Sequence, residues 1–167
     1  MIRNGRLETE RLYVRPFEVG DIDPLVTLFA DPAVHRFVDD GEAMDREESE
    51  LWVRNSRRNV EELGFGTGAI VQKSSGRLIG WAGVARPPDD EPEIIYGFER
   101  AAWRKGYGSE LLSALTNFCG QQDIDPVRAT VAAGNAGSIA LLLSAGFELA
   151  DAAYRGSADS HLYIFSR

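Results

Sequence analysis

The spacing of apolar residues changes repeatedly along the 167-residue chain. In "RLYVRPF" (Arg11–Phe17), Leu12 and Val14 alternate with Tyr13 and Arg15. That period of two marks a half-buried strand, and Pro16 ends it. "DIDPLVTLFADP" shifts to helical spacing. Asp23 is placed to cap a helix with Pro24 at its first position; Leu25, Val26, Leu28 and Phe29 form the inner stripe, and Asp31-Pro32 stops it. A second helix is predicted within "DDGEAMDREESELWVRNSRRNVEEL", where Asp45 and Glu48 make a capping pair. Its thin apolar face (Leu51, Trp52, Val60, Leu63) predicts a helix lying on the surface.

"GTGAIVQK" and "LIGWAGVA" are apolar runs separated by "SSGR", a hairpin signal. "RPPDDEPE" reads as a loop and "EIIYGF" as a further strand. In "AAWRKGYGSELLSALTNFCG" (Ala101–Gly120), Tyr107, Leu111, Leu112, Leu115, Phe118 and Cys119 fall at helical spacing, with Gly120 as the stop. "PVRATVAA" (Pro126–Ala133) is a strand. "GNAGSIALLLSAGF" is a short helix with Asn135 or Ser138 near its start and Gly146 at its end. Two strands around Gly156 complete the order β α α β β β α β α β β. Without repeats or a linker, residues 1–167 are expected to form one domain.

Composition narrows the partners. The chain is 44% hydrophobic and 26% charged, ordinary for a soluble domain. Its 26 acids against 18 Lys+Arg give a net charge of −8, which argues against nucleic acid and is compatible with a cationic or neutral partner. Seven acids and one Arg lie between Asp39 and Glu50. They read either as a solvated helix entrance or as a rim that attracts a cationic acceptor. No run approaches the ~18 apolar residues of a membrane span, and "MIRNGRLETERL" lacks a signal-like apolar stretch, so a cytoplasmic protein is expected. The single cysteine, Cys119, cannot form an internal disulfide and reads as a core residue. His35 and His161 lack a third ligand at metal spacing, so no metal is expected. His35 reads as a loop residue or as part of an acceptor cleft.

Two glycine patterns invite a nucleotide reading. "GFGTGA" precedes a β-branched run instead of opening a helix, so it is a turn. Gly106 and Gly108 are different. Glycine weakens a helix by about 1 kcal/mol relative to alanine, yet two stand at the start of an apolar helix. Successive N–H groups from Arg104 to Ser109, at the positive end of the helix dipole, would form an anion site supported by Arg104 and Lys105. The alternative is an ordinary glycine-rich turn.

"FERAAWRKGYGSELL" resembles motif A of the GNAT N-acetyltransferase superfamily: a strand, a [Q/R]-x-x-G-x-[G/A] loop and a helix that holds the acetyl-CoA pyrophosphate. Trp103 replaces the general Gln or Arg, as in the branch resembling ribosomal-protein N-terminal alanine acetyltransferases. Arg104 replaces that branch's usual Gly. "ETERLYVRPF", "LIGWAGV" and "NAGSIALLLSAGFEL" resemble other segments of the branch, in order and over nearly the whole chain. The resemblance implies an α/β (α+β) fold, with a mixed, mostly antiparallel twisted sheet of about seven strands and helices on both faces. It also implies acetyl-CoA as cosubstrate. Phe98 would pair backbone groups with pantetheine at a splayed strand end. Arg104, Lys105, Gly106, Tyr107, Gly108 and Ser109 match the pyrophosphate loop. Asn135 matches a pantetheine-binding asparagine, or serves only as a helix cap. Ser138 matches the serine near the acetyl-CoA sulfur.

Acetyl transfer needs a neutral amine, a donor at the thioester oxygen, and stabilisation of the leaving thiolate. Glu93 matches the branch's base candidate, or is an exposed acid at a loop end. Glu99 is a weaker candidate. A backbone N–H at Gly97/Phe98 is the expected oxyanion donor. The superfamily's usual tyrosine acid falls at Leu142, so Ser138 would stabilise the sulfur. Tyr96 and Tyr107 are alternatives that core packing also explains, and Trp52 and Trp81 read as core residues or as acceptor walls. The leading expectation is an acetyl-CoA-dependent N-acetyltransferase acting on a primary amine, as monomer or homodimer. The alternatives are a non-catalytic CoA-binding module and a nucleotide-binding protein.

Overall fold

Side-chain alternation along the strands assigns each residue to one of two cores. In the computed structural model, which describes residues 6–87 and 91–166, Leu12 and Val14 join one core while Tyr13 packs against the other. The elements are β1 (Leu7–Glu8), β2 (Leu12–Pro16), α1 (Ile22–Phe29), α2 (Pro32–His35), α3 (Arg46–Leu63), β3 (Thr67–Gln72), β4 (Leu78–Ala85), β5 (Glu93–Phe98), α4 (Tyr107–Gln121), β6 (Val127–Ala132), α5 (Ala136–Ser144), β7 (Glu148–Asp151) and β8 (Ser160–Phe165). They form an eight-stranded mixed sheet in the order β1-β2-β3-β4-β5-β6-β8-β7. The eighth strand, beyond the seven expected, is the two-residue β1. Of the predicted loop at 86–93, residues 88–90 lie outside the described residues.

All strand pairs are antiparallel except β5 with β6. That parallel pair holds at one register position only, Glu93 opposite Arg128. One core packs α4 and α5 against Leu12, Ile70, Ile94 and Ala129. The other packs Leu25 and Phe29 of α1 and Val53 of α3 against Ala69, Val71 and Trp81. Helices on both sheet faces with a strand pair splaying between them create the site.

Several boundaries differ from the periodicity reading. Helix α1 begins at Ile22, not at Pro24, with Asp21 at the cap position. Pro24 is tolerated inside the first turn because N–H groups there have no intrahelical partner. Val26 is only half-buried, and Ile22 takes its place in the stripe. Asp31-Pro32 does not merely stop a helix. The Asp31 carboxylate accepts from the Ala33 N–H at 2.9 Å and starts the one-turn α2. Gly120 lies inside α4, which ends at Gln121.

The predicted face of α3 is corrected. Its Asp45–Glu48 capping box is present, but Leu51 and Leu63 are exposed, and the buried residues are Ser49, Val53, Ser56 and Val60. Hydrophobicity misses this face because half of it is serine. Small side chains allow close approach to the sheet, and the Ser56 hydroxyl hydrogen-bonds to Thr67. Trp52 turns inward, 5.0 Å from the Phe17 ring and 6.2 Å from Trp81.

Candidate active site

Beyond Glu93 and Arg128, β5 and β6 separate, and their residues line a cavity of about 860 Å³. The starts of α4 and α5 border it on one side, and α2 with its following loop borders it on the other. Of the predicted site residues, Phe98, Arg104, Gly106, Tyr107, Gly108, Ser109, Asn135 and Ser138 all line this cavity. Lys105 and Glu93 are not on its wall.

The loop before α4 has an alternating backbone. Arg104 (φ 59°) and Gly106 (φ 79°) are both left-handed. Such alternation turns successive N–H groups toward one side, a nest suited to anions. Gly106 occupies the cap position and has no side chain to accept from the first-turn N–H groups. Those donors remain for a ligand. Gly108 serves a further purpose, since a Cβ there would lie 2.5 Å from Leu141 Cδ2. Its bareness therefore lets α4 and α5 approach each other.

Arg11 braces this loop from outside the cavity. Its Nη1 donates to the Lys105 carbonyl (2.8 Å), its Nε to Glu110 (2.8 Å), and its backbone N–H to the same carboxylate (2.7 Å). The Arg11 guanidinium also lies over the Tyr107 ring, 4.5 Å from its centroid. Burial works to raise the Glu110 pKa. Hydrogen bonds from Thr9 and Arg11, with the Arg11 charge, outweigh it and hold the carboxyl below its ordinary 4.5.

On the strand side, the Glu99 N–H donates to the Ile79 carbonyl on β4 at 2.8 Å. Successive strand amides point to opposite edges. The amides of Glu99 and Gly97 therefore face β4, and those of Phe98 and Tyr96 face the cleft. The Trp103 indole N–H donates to the Phe98 carbonyl at 2.9 Å, tying the loop to the strand end.

Helix α5 contributes two predicted residues. The Asn135 side-chain oxygen caps the helix by accepting from the Ser138 N–H at 3.2 Å, which leaves the amide's donors to the cavity. The Ser138 hydroxyl lies 2.8 Å from the Tyr96 hydroxyl. Burial pushes the Tyr96 phenol pKa above 10.0, and the Ser138 hydrogen bond partly opposes it. Leu142 is buried and lines the cavity, so no acid stands at that position.

Glu93 sits at the start of β5, where its carboxylate accepts from the Thr130 hydroxyl at 2.6 Å. Thr130 itself is on the cavity wall. Glu99 points elsewhere and pairs with Arg77 at 3.1 Å. Of the seven acids between Asp39 and Glu50, Asp39 is the one lining the cavity. Asp45 and Glu48 are engaged in the α3 cap, and Glu50 pairs with Arg46. Phe37 and Trp81 form aromatic walls on this side. The His35 ring bonds the Gly41 carbonyl and is not on the wall.

The sequence pattern offers Tyr96 only as an alternative that core packing also explains, and it gives no sign of Arg11. Tyr96 was discoverable, because it shares a strand face with Ile94 and Phe98. Arg11 carried no signal, since its partners lie about a hundred positions away.

The profile of the family described as "Acetyltransferase (GNAT) domain" matches residues 11–148. The chain is 27% identical over 145 residues to "Uncharacterized N-acetyltransferase p20" of Bacillus licheniformis, covering 85% of this chain and 82% of the relative. An acetyltransferase crystal structure from Agrobacterium tumefaciens superposes with a TM-score of 0.86 at 23% identity, over 98% of this chain and 95% of that one. RimL, a ribosomal L7/L12 α-N-protein acetyltransferase in complex with coenzyme A, superposes with a TM-score of 0.79 at 15% identity, over 97% and 98% of the chains. With its profile match across the splayed strands and the glycine loop, this chain belongs to the GNAT acetyltransferase family.

Proposed function

We propose that the chain transfers the acetyl group of acetyl-CoA to a primary amine by direct attack on the thioester, as a single domain. The observation carrying this reading is the cleft between β5 and β6, which opens beside an uncapped helix start. The left-handed loop and the first turn of α4 would receive the pyrophosphate on backbone N–H groups, with Arg104 and Lys105 supplying charge. Cleft-facing amides at Tyr96 and Phe98 and the donors of Asn135 would meet the pantetheine arm. Strand parity favours the Phe98 N–H over that of Gly97 as the oxyanion donor. RimL, of the same fold, is known with coenzyme A bound.

In the step itself, the amine nitrogen bonds to the carbonyl carbon and the C–S bond breaks with its electron pair on sulfur. The amine proton passes to Glu93, through water and the Thr130 hydroxyl region, because the carboxylate stands back from the cavity wall. Holding both reactants in one cleft contributes several kcal/mol. The acceptor enters from the α2 side, past Phe37, Trp81 and Asp39.

The alternative, a CoA-binding module without catalysis, rests on Leu142 standing where the superfamily's acid is expected. Free-thiol release from acetyl-CoA separates the two, measured against N-terminal peptides, polyamines, aminoglycosides and amino acids. Cys119 is fully buried and will not react with the thiol reagent in the folded chain. We expect release with at least one amine, reduced at least tenfold by Glu93→Gln. Acetyl-CoA binding with no release in the presence of any amine would establish the module instead.

A further inference from the structure

Resting on the acetyl-transfer reading, we propose that Tyr96 is a positioning residue that aims and polarises the Ser138 hydroxyl toward the departing thiolate. Both side chains line the cavity, Tyr96 from β5 and Ser138 from the first turn of α5. Their oxygens are 2.8 Å apart. Among the described residues each hydroxyl has the other as its sole hydrogen-bond partner.

The direction of this bond follows from the chemistry of the two groups. A phenol has one proton and is the more acidic donor, while a serine hydroxyl has one proton and two acceptor lone pairs. With Tyr96 donating to Ser138 Oγ, the serine proton turns away from Tyr96 and into the cavity. A serine hydroxyl alone rotates among three staggered positions. The tyrosine removes that freedom and strengthens the serine as a donor.

Ser138 is itself fixed, because its N–H is held by the Asn135 cap. Tyr96 is fixed by its place between Ile94 and Phe98 on the packed face of β5. Burial also keeps the phenol protonated at any assay pH below its ordinary 10.0. In the leaving step the C–S electron pair goes to sulfur, the Ser138 O–H donates to sulfur, and the Tyr96 O–H donates to Ser138. Neither side chain loses its proton. A thiolate, whose conjugate thiol has an ordinary pKa of about 8.5, is too weak a base to take one from a phenol that burial holds above its ordinary 10.0, so the thiolate's proton comes from solvent.

The test compares Tyr96→Phe, Ser138→Ala, Ser138→Thr and the Tyr96→Phe/Ser138→Ala pair. Steady-state kinetics are run with the best amine of the screen, and acetyl-CoA affinity is measured by calorimetry. Loss of one polarising bond lowers kcat by about tenfold in Tyr96→Phe, with the acetyl-CoA Kd within twofold of the parent. The double variant is no slower than Ser138→Ala, since Tyr96 acts only through that hydroxyl. Ser138→Thr, which keeps the hydroxyl, retains more kcat than Ser138→Ala. Unchanged kcat in Tyr96→Phe overturns the proposal. So does a double variant slowed by the product of the single effects, or a Kd that rises as much as kcat falls. A parent chain that binds acetyl-CoA but acetylates no amine overturns the transferase reading together with this one. A parent that turns over while Tyr96→Phe matches it overturns the Tyr96 role alone.

Discussion

Gly97 lies between the two residues whose amides face the cleft, and an alanine there has nowhere to put its methyl group. An added Cβ would stand 2.1 Å from Cζ2, 2.2 Å from Cη2 and 2.7 Å from Cε2 of the Trp81 indole. Such contacts are cheap only when the neighbour can swing aside. Trp81 cannot: it is 4% exposed, with the Phe29 ring 4.7 Å away and the Trp52 ring 6.2 Å away. Overpacking against a rigid neighbour costs roughly 1–3 kcal/mol, and this geometry belongs at the upper end. For a chain of this size, about 3 kcal/mol lowers Tm by roughly 6–12 °C. Trp81→Phe removes the benzo ring that Gly97 touches and by itself costs roughly 2 kcal/mol through the cavity it leaves. Combining the two changes relieves the clash, so the double variant should lose no more than about 3 kcal/mol where simple addition gives about 5. Urea denaturation of the four proteins measures the cycle. A Gly97→Ala stability within about 0.5 kcal/mol of the parent, or strict additivity, would refute the claim that the indole forces glycine at this position.

Two other outcomes follow from the loop before α4. Arg104→Gly relieves a left-handed backbone that costs a side-chain-bearing residue roughly 1–2 kcal/mol, partly offset by glycine's larger unfolded-state entropy. Stability should therefore rise by about 0.5–1 kcal/mol while acetyl-CoA affinity falls a few-fold, most at low salt; calorimetry and thermal melts showing both properties moving the same way would contradict this. Glu110 has a folded pKa below its ordinary 4.5, so its contribution is fully present above about pH 4.5 and is lost as pH falls through the lower folded value. Glu110→Gln should cost about 1 kcal/mol at pH 7 and progressively less as pH falls below 4.5, and a urea-midpoint difference that stays constant from pH 7 into the acid range would show that the carboxylate charge does not matter.

Much of the fold was legible because its signals are local. Period-two alternation located β2, the capping pair Asp45–Glu48 started α3, and the apolar spacing from Tyr107 to Cys119 described a helix whose inner face is buried throughout. Errors arose where burial was achieved without hydrophobicity. Ser49 and Ser56 carry the inner face of α3 while Leu51 faces water. Gly106 at the cap of α4 and Gly108 in its first turn both need a bare backbone, yet for different reasons than spacing suggests. Gly106 requires a left-handed φ, and Gly108 gives way to Leu141 from another helix.

The sequence by itself determined most of the strands and helices, though not the two-residue β1 or the one-turn α2, and that a glycine-rich, basic turn opens α4, because backbone propensity and side-chain period act over a few residues. Only the tertiary structure decided that β5 and β6 part after one register pair, that Arg11 reaches back to Lys105 and Glu110, and that Tyr96 meets Ser138. Those contacts join residues 42 to 99 positions apart. No local preference encodes them; they exist because two cores, packed on opposite faces of one sheet, leave these side chains a single place to go.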